Sequence, residues 1–263
     1  MMSISKVLRN KDSRCALIPF ITAGYPDVDS TIEALYVLDK KGADIIELGI
    51  PYSDALADGP IIRESSRIAI NKGVYIDQVL YILKAAHNNL SAPIVIFTYY
   101  NPVLVKGIQA FIKDIAQYGV KGLIIPDLPL EETDYIVQLC SEFNIELILF
   151  IAPTSSDVRI KDILSKSQGC IYLVSSKGVT GLRNQLDPSI NTLANKIKSK
   201  TDKSIILGFG ISSSEQANIV SKWSIDGIVI GSAFMQMMLN KSSHEAVKSL
   251  GDFCQSIRRA IDN

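Results

Sequence analysis

Histidine is nearly missing from this 263-residue chain, which has only His87 and His244. Both stand in polar, helix-like stretches where a solvated side chain is the ordinary reading. A histidine-based triad or a zinc centre is therefore not indicated. The four cysteines, Cys15, Cys140, Cys170 and Cys254, form no CxxC pair and read as reduced, mostly buried thiols. An excess of either charge is also missing: 27 basic and 27 acidic residues give a formal net charge of zero. That balance argues against nucleic acid or an anionic membrane as the main partner, and no block of like charges suggests a binding tail. No stretch approaches the roughly 20 apolar residues that span a membrane. The N-terminal MMSISKVLRNKDSR lacks the apolar centre of a secretory signal. A soluble, intracellular protein is expected.

What the chain does have is a regular alternation. Short runs rich in Ile, Leu and Val recur at 16–22, 44–49, 93–99, 122–126, 146–152, 170–174, 204–208 and 227–230. Continuous apolar runs of this length suit parallel strands buried on both faces. Amphipathic stretches separate them: one capped at Asp29-Ser30 and running to Leu38, one over 131–143, and one over 212–222 with Ile219 and Val220 inward. The longest gap, between the second and third runs, has room for an extra helix around 61–72 before the regular one at 77–88. Eight such units predict an α/β fold, a (β/α)8 TIM barrel with extra short helices, as a single domain over 1–263. Active sites of such barrels collect at the C-terminal ends of the strands, where the polar, glycine-rich segments of this chain also fall.

The segment ELGIPYSDALADGP, residues 47–60, carries the chemistry most directly. Glu47 ends an apolar strand-like run, and apolar neighbours raise a carboxyl pKa toward the range useful for proton transfer. Asp58 follows in a Gly/Pro/Asp-rich loop, and two acids in unlike surroundings divide acid and base work between them. Plainer readings stand beside these: Glu47 pairing with a cation inside the barrel, and Asp58 capping its own turn. Asp127, in Ile125-Pro126-Asp127-Leu128-Pro129, could hold either a partner loop or the Asp58 loop in place. Gly208-Phe209-Gly210-Ile211-Ser212 and Gly231-Ser232 follow the last two strands, where barrels of this class cradle phosphate, although glycines also simply end strands. Residues 175–185 form a glycine-hinged segment whose Thr180 could hydrogen-bond an anion, or a plain surface loop. Tyr99, Tyr172 and Phe209 could wall a pocket for a flat apolar ligand, or serve ordinary packing.

The 47–60 segment closely resembles the tryptophan synthase alpha signature, ELGxPxSDPxADGP. The resemblance continues through PFITAGYPD (19–27), TYYNPVLVKG (98–107), GLIIPDLPLEE (122–132), IAPTSS (151–156), GVTG (178–181), LGFGIS (207–212) and GSA (231–233). It implies retro-aldol cleavage of indole-3-glycerol phosphate to indole and glyceraldehyde 3-phosphate in tryptophan biosynthesis. It implies Glu47 as the proton-shuttling acid/base and Asp58 as the partner of the indole N–H. It further implies phosphate contacts at Gly181, Gly210, Gly231 and Ser232, an indole pocket of Phe20, Tyr99, Tyr172 and Phe209, and Thr180 positioning Asp58. The implied partner is a beta chain that holds pyridoxal phosphate, in an alpha2-beta2 assembly; this chain is expected to need no cofactor. The implied location is cytoplasmic, or the plastid stroma for an organelle-encoded copy. The chain departs from the pattern at Ala55, usually Pro, at Ile61, commonly Thr, and at Arg63, often Gln. Two other classes remain open on sequence: a barrel kept mainly to activate its partner, and a different phosphate-binding isomerase or epimerase.

Overall fold

A computed structural model describes residues 2–10, 13–174, 186–208 and 210–263. Among these residues are nine strands: β1 (Ala16–Thr22), β2 (Ile46–Gly49), β3 (Ile94–Phe97), β4 (Gly122–Ile124), β5 (Glu146–Leu147), β6 (Leu149–Ile151), β7 (Cys170–Val174), β8 (Ser204–Gly208) and β9 (Gly227–Ile230). They form one sheet in the order β5-β4-β3-β2-β1-β9-β8-β7-β6, and every pairing is parallel. The two end strands are consecutive in the chain and meet at Ile148, whose amide still donates to Leu123 O at 2.9 Å. The expected eight staves are therefore present, the fifth broken so that its first half pairs with β4 and its second with β7. This is the expected (β/α)8 barrel.

The helices fall between the strands as the periodicity predicts, including the extra one, Pro60–Asn71, before Ile76–Ala86. Three details differ. The helix Val28–Lys40 is capped by Asp27, not Asp29-Ser30: the Asp27 carboxylate accepts from Ser30 N at 2.7 Å and from Ser243 Oγ at 2.8 Å. The expected helix over 131–143 begins as a 3-10 turn, Leu130–Glu132, and continues as Thr133–Glu142. Ile219 points outward, 50% exposed, because the short helix Ser214–Val220 turns Val220 and Ala217 inward instead.

The N-terminal mouth of the barrel is closed. Ile4 and Leu8 of the helix Ile4–Arg9 are fully buried and pack against Gly122 and Gly227, the first residues of β4 and β9. Glu146 Oε1 holds that helix by accepting from Ser5 N at 3.0 Å and Ser5 Oγ at 2.8 Å. Asp44, expected within the second strand, instead accepts from Leu17 N at 2.7 Å and from Arg258 Nη1 at 2.8 Å, so regular pairing starts at Ile46. This end is packed and tied, which leaves the C-terminal ends of the strands to form a site.

Candidate active site

Parallel register brings the acid to the pocket. Glu47 lies opposite Phe20 on β1 and Val95 on β3, one turn of pleat before β2 ends at Gly49. The side chain is 2% exposed, and its Oε2 has no hydrogen-bond partner among the described residues. Among the described residues no cation pairs with it, so the ion-pair reading of Glu47 finds no support there. Burial first, and the nearby Asp58 charge second, push its carboxyl up to about 8. A carboxyl in that state carries its proton at neutral pH and can give it away.

Asp58 stands at the end of the loop that follows β2, just before Gly59 caps the helix Pro60–Asn71. It is 6% exposed, and burial raises its carboxyl to about 6, against the lowering effects of the Tyr99 hydroxyl and the Arg63 charge. Tyr99 binds this loop twice. Its hydroxyl donates to the Asp58 carboxylate, and its oxygen accepts from Ala57 N at 3.0 Å. Burial and the adjacent Asp58 charge raise the Tyr99 phenol far above its ordinary value, so it remains a donor. Asp127 acts one step further out, accepting from Tyr100 N at 2.8 Å and fixing the start of the helix that Tyr99 caps.

One hollow collects these groups. It is lined by Phe20, Glu47, Asp58, Ile62, Phe97, Tyr172, Gly210, Ile211, Val229, Gly231 and Ser232. Seven of those eleven residues, Phe20, Glu47, Asp58, Tyr172, Gly210, Gly231 and Ser232, were expected from sequence. Tyr99 is the exception among the described candidates: it stands behind the Asp58 loop as its support and is not part of the lining. Thr180, Gly181 and Phe209 lie outside the described residues. The sequence reading missed Ile62, Phe97, Ile211 and Val229. Strand alternation held a clue to Phe97, two residues before Tyr99, and its ring meets Phe20 edge-on at 5.8 Å and 85°.

Two glycines make the walls possible. A Cβ on Gly49 would lie 2.6 Å from Phe20 Cζ, and one on Gly208 would lie 2.1 Å from the Tyr172 hydroxyl. Any side chain at either position would drive an aromatic ring out of place. The hollow spans about 410 Å³ with its open mouth but leaves only about 30 Å³ to a water-sized occupant. A roomier groove of about 510 Å³ lies beside it, between Ile50, Tyr52, Tyr75, Pro102 and Val105. Its ionised groups, Asp77 and Lys106, are paired at 3.0 Å, so it offers no comparable chemistry. Neither histidine lines the hollow, and among the described residues no group of three acids, histidines or cysteines is placed to hold a metal ion.

Comparison with known proteins decides the lineage. The family profile described as tryptophan synthase alpha chain matches residues 7–262. The chain belongs to the tryptophan synthase alpha family. The alpha chain of the red alga Gracilaria tenuistipitata var. liui is 59% identical over 261 residues, covering 99% of this chain and 97% of that one. The alpha chain of Trichodesmium erythraeum is 47% identical over the full length of both. Among solved structures, Mycobacterium tuberculosis tryptophan synthase superposes with a TM-score of 0.89 at 31% identity, covering all of both chains. A chain of the Pyrococcus furiosus tryptophan synthase a2b2 complex superposes with a TM-score of 0.87 at 34% identity, covering 94% of this chain and 98% of that one. The family is one of lyases, and the isomerase and epimerase readings are set aside.

Burying Glu47 has a consequence for stability. Its folded pKa lies above the value of about 4.5 for an unburied glutamate, so the folded chain binds the proton more tightly and loses stability as pH rises from about 4.5 to about 8. Glu47→Gln removes that loss. In thermal melts the variant is expected to gain several degrees over the parent at about pH 8 and little at about pH 5. Equal melting points at both pH values would show that Glu47 is not held protonated.

Proposed function

We propose that the chain cleaves indole-3-glycerol phosphate to indole and glyceraldehyde 3-phosphate by a proton relay through Glu47, with Asp58 holding the indole nitrogen. The observation that supports it best is the pairing of two buried acids in one aromatic-walled hollow, one raised to about 8 and the other to about 6. Near neutral pH that pair is a protonated Glu47 beside an ionised Asp58. Glu47 gives its proton to the indole ring carbon that bears the glycerol chain. Positive charge then develops at the ring nitrogen, whose N–H donates to the Asp58 carboxylate. The carbon–carbon bond breaks as the hydroxyl on the adjoining carbon returns its proton to Glu47 and becomes the aldehyde. The indole ring recovers the bonding electrons, and the enzyme ends in its starting state.

Phe20, Phe97 and Tyr172 supply apolar faces for the ring, while Tyr99 fixes the Asp58 loop. Backbone N–H groups at Gly210, Gly231 and Ser232 are suited to the phosphate, and the family resemblance adds Gly181 to these contacts and assigns Thr180 to positioning Asp58. A beta chain is the partner that takes up the indole, in an assembly like the Pyrococcus furiosus a2b2 complex. Pyridoxal phosphate belongs to that partner. Leu56, in the loop that follows β2, and Val105, which lines the neighbouring groove, are 81% exposed and suit an apolar partner surface. Relatives in red algae and cyanobacteria fit a plastid stroma or a bacterial cytosol, and no helix among the described residues is long and apolar enough to cross a membrane.

Indole release from indole-3-glycerol phosphate, with and without a beta chain, is the direct assay. Glu47→Gln is expected to lower turnover by a factor on the order of 10²–10⁴ while substrate still binds; near-normal turnover would end its assignment. In the parent, kcat/KM falls below about pH 6 as Asp58 protonates and above about pH 8 as Glu47 loses its proton, a bell belonging to the pair. For the phosphate, Gly231→Asp is the useful probe, since a Cβ there sits at an ordinary 3.4 Å from Ile62 Cδ1. The added carboxylate is expected to weaken binding of glycerol phosphate, measured by calorimetry, by at least tenfold. Gly231→Ala serves as the steric control, and equal affinity in both variants would remove the phosphate from this site.

A further inference from the structure

The helix Pro60–Asn71 starts two residues after Asp58 and presents Ile62 to the hollow. Its N-cap, Gly59, has no side chain to bond the first turn. Ser65, on the buried face of the same helix, supplies a tie of another kind. Its hydroxyl donates to Ile62 O at 2.8 Å, and its oxygen stands 2.7 Å from the hydroxyl of Thr22, the last residue of β1. A serine has one hydroxyl proton, and Ile62 O takes it, so the proton between the two hydroxyls is that of Thr22. The chain runs from Thr22 through Ser65 to the carbonyl of Ile62, and both hydroxyl side chains are fully buried. A serine inside a helix commonly bonds back to its own preceding turn, which alone would only satisfy a buried hydroxyl. The second bond crosses 43 positions of sequence to a strand end. That strand end is itself fixed. Thr22 lies opposite Gly49 on β2, its amide donates to Met235 Sδ at 3.3 Å, and Ala23 N donates to Gly49 O at 2.9 Å.

We propose that Ser65 is a positioning residue for the cleavage reaction: by binding Thr22 and Ile62 at once, it locks the first turns of this helix to the end of β1 and holds Asp58 and Ile62 in place at the hollow. The inference rests on the reading of Asp58 given above and adds the anchor of the helix behind it. The Tyr99 hydroxyl holds the Asp58 loop from the β3 side. The Ser65 chain holds the helix that follows this loop from the β1 side. Apolar contacts of the helix, such as those of Ile62 and Ala69, are non-directional and tolerate small sliding movements. A short hydrogen bond in a dry site does not. Among the described residues no other buried side-chain hydrogen bond joins residues 60–66 to a strand. Ile62 Cδ1 also lies 3.4 Å from where a Cβ on Gly231 would stand, so a shift of this turn alters the hollow on its phosphate side as well.

Ser65→Ala, Thr22→Val and the double variant test this in the complex with a beta chain. Ser65→Ala is expected to lower kcat for indole-3-glycerol phosphate about tenfold, while affinity for glycerol phosphate, measured by calorimetry, stays within about twofold. Thr22→Val keeps the shape of the side chain and the bond from Ser65 to Ile62 but removes the donor. It should show the same split, and Thr22→Ser should restore the turnover of the parent. Because the two hydroxyls act as one chain, the double variant should be no slower than the slower single one. Unchanged kcat in Ser65→Ala, even with a lower melting point, overturns the proposal and leaves the serine a packing role. A parallel loss of kcat and glycerol phosphate affinity also overturns it, as do single effects that simply multiply in the double variant. Should Ser65→Ala fail to fold, the contrast between Thr22→Val and Thr22→Ser carries the same test. Asp58→Asn, assayed alongside, keeps the two failures apart: near-parent turnover there would refute the reading of Asp58, whatever the serine does.

Discussion

A carboxyl group taken out of water, with no counter-ion among the described residues, is the constraint on which this structure turns. Glu47 occupies a position that a barrel would ordinarily give to Val or Ile, and one of its oxygens has no partner among the described residues. The unfavourable burial is tolerable because the group can keep its proton. That same proton is what a retro-aldol cleavage has to deliver to an aromatic carbon. Stability is given up at one side chain, and a group able to act as acid and then as base near neutral pH is the result.

The surrounding elements keep Glu47 and Asp58 unlike each other. Asp58 is also buried, but it receives the Tyr99 hydroxyl and lies at the start of a helix, so its charge is better supported. Tyr99 is in turn held by its neighbours: its own oxygen takes the Ala57 amide, and Asp127 fixes the residue that follows it. The opposite wall is apolar and aromatic, made of Phe20, Phe97 and Tyr172 and spaced by the absence of side chains at Gly49 and Gly208. Meanwhile Ile4, Leu8, Glu146 and Arg258 close and tie the far end of the barrel. Rigidity at that end and openness at the other are properties of one packed core.

Much of this was legible in the residues because chemistry-bearing side chains interrupt apolar patterns. Glu47 stands out in an Ile/Leu run, and Asp58 stands out in a loop bounded by Gly59-Pro60. Ile62, Ile211 and Val229 were not legible: an apolar residue facing a ligand is written no differently from one facing the core. Tyr99 was read as a pocket wall because an aromatic at a strand end commonly is one; the hydrogen bonds that turn it toward Asp58 depend on a loop conformation that periodicity does not encode. Asp27, Asp29 and Ser30 are all good capping residues, and a tertiary contact from Ser243 accompanies the choice of Asp27. The break at Ile148 leaves no mark in a continuous run of Ile and Leu. Barrel closure, which no local pattern records, splits that stave between two neighbours.

The protonation state of Glu47 in the free protein tests the account most directly. Infrared difference spectra between the parent and Glu47→Gln, taken across a pH titration, isolate the C=O stretch of a protonated carboxylic acid at this position. The account predicts that this band is present at pH 7 and disappears with a midpoint near 8. A band already lost by about pH 5, the behaviour of an ordinary exposed glutamate, would contradict it.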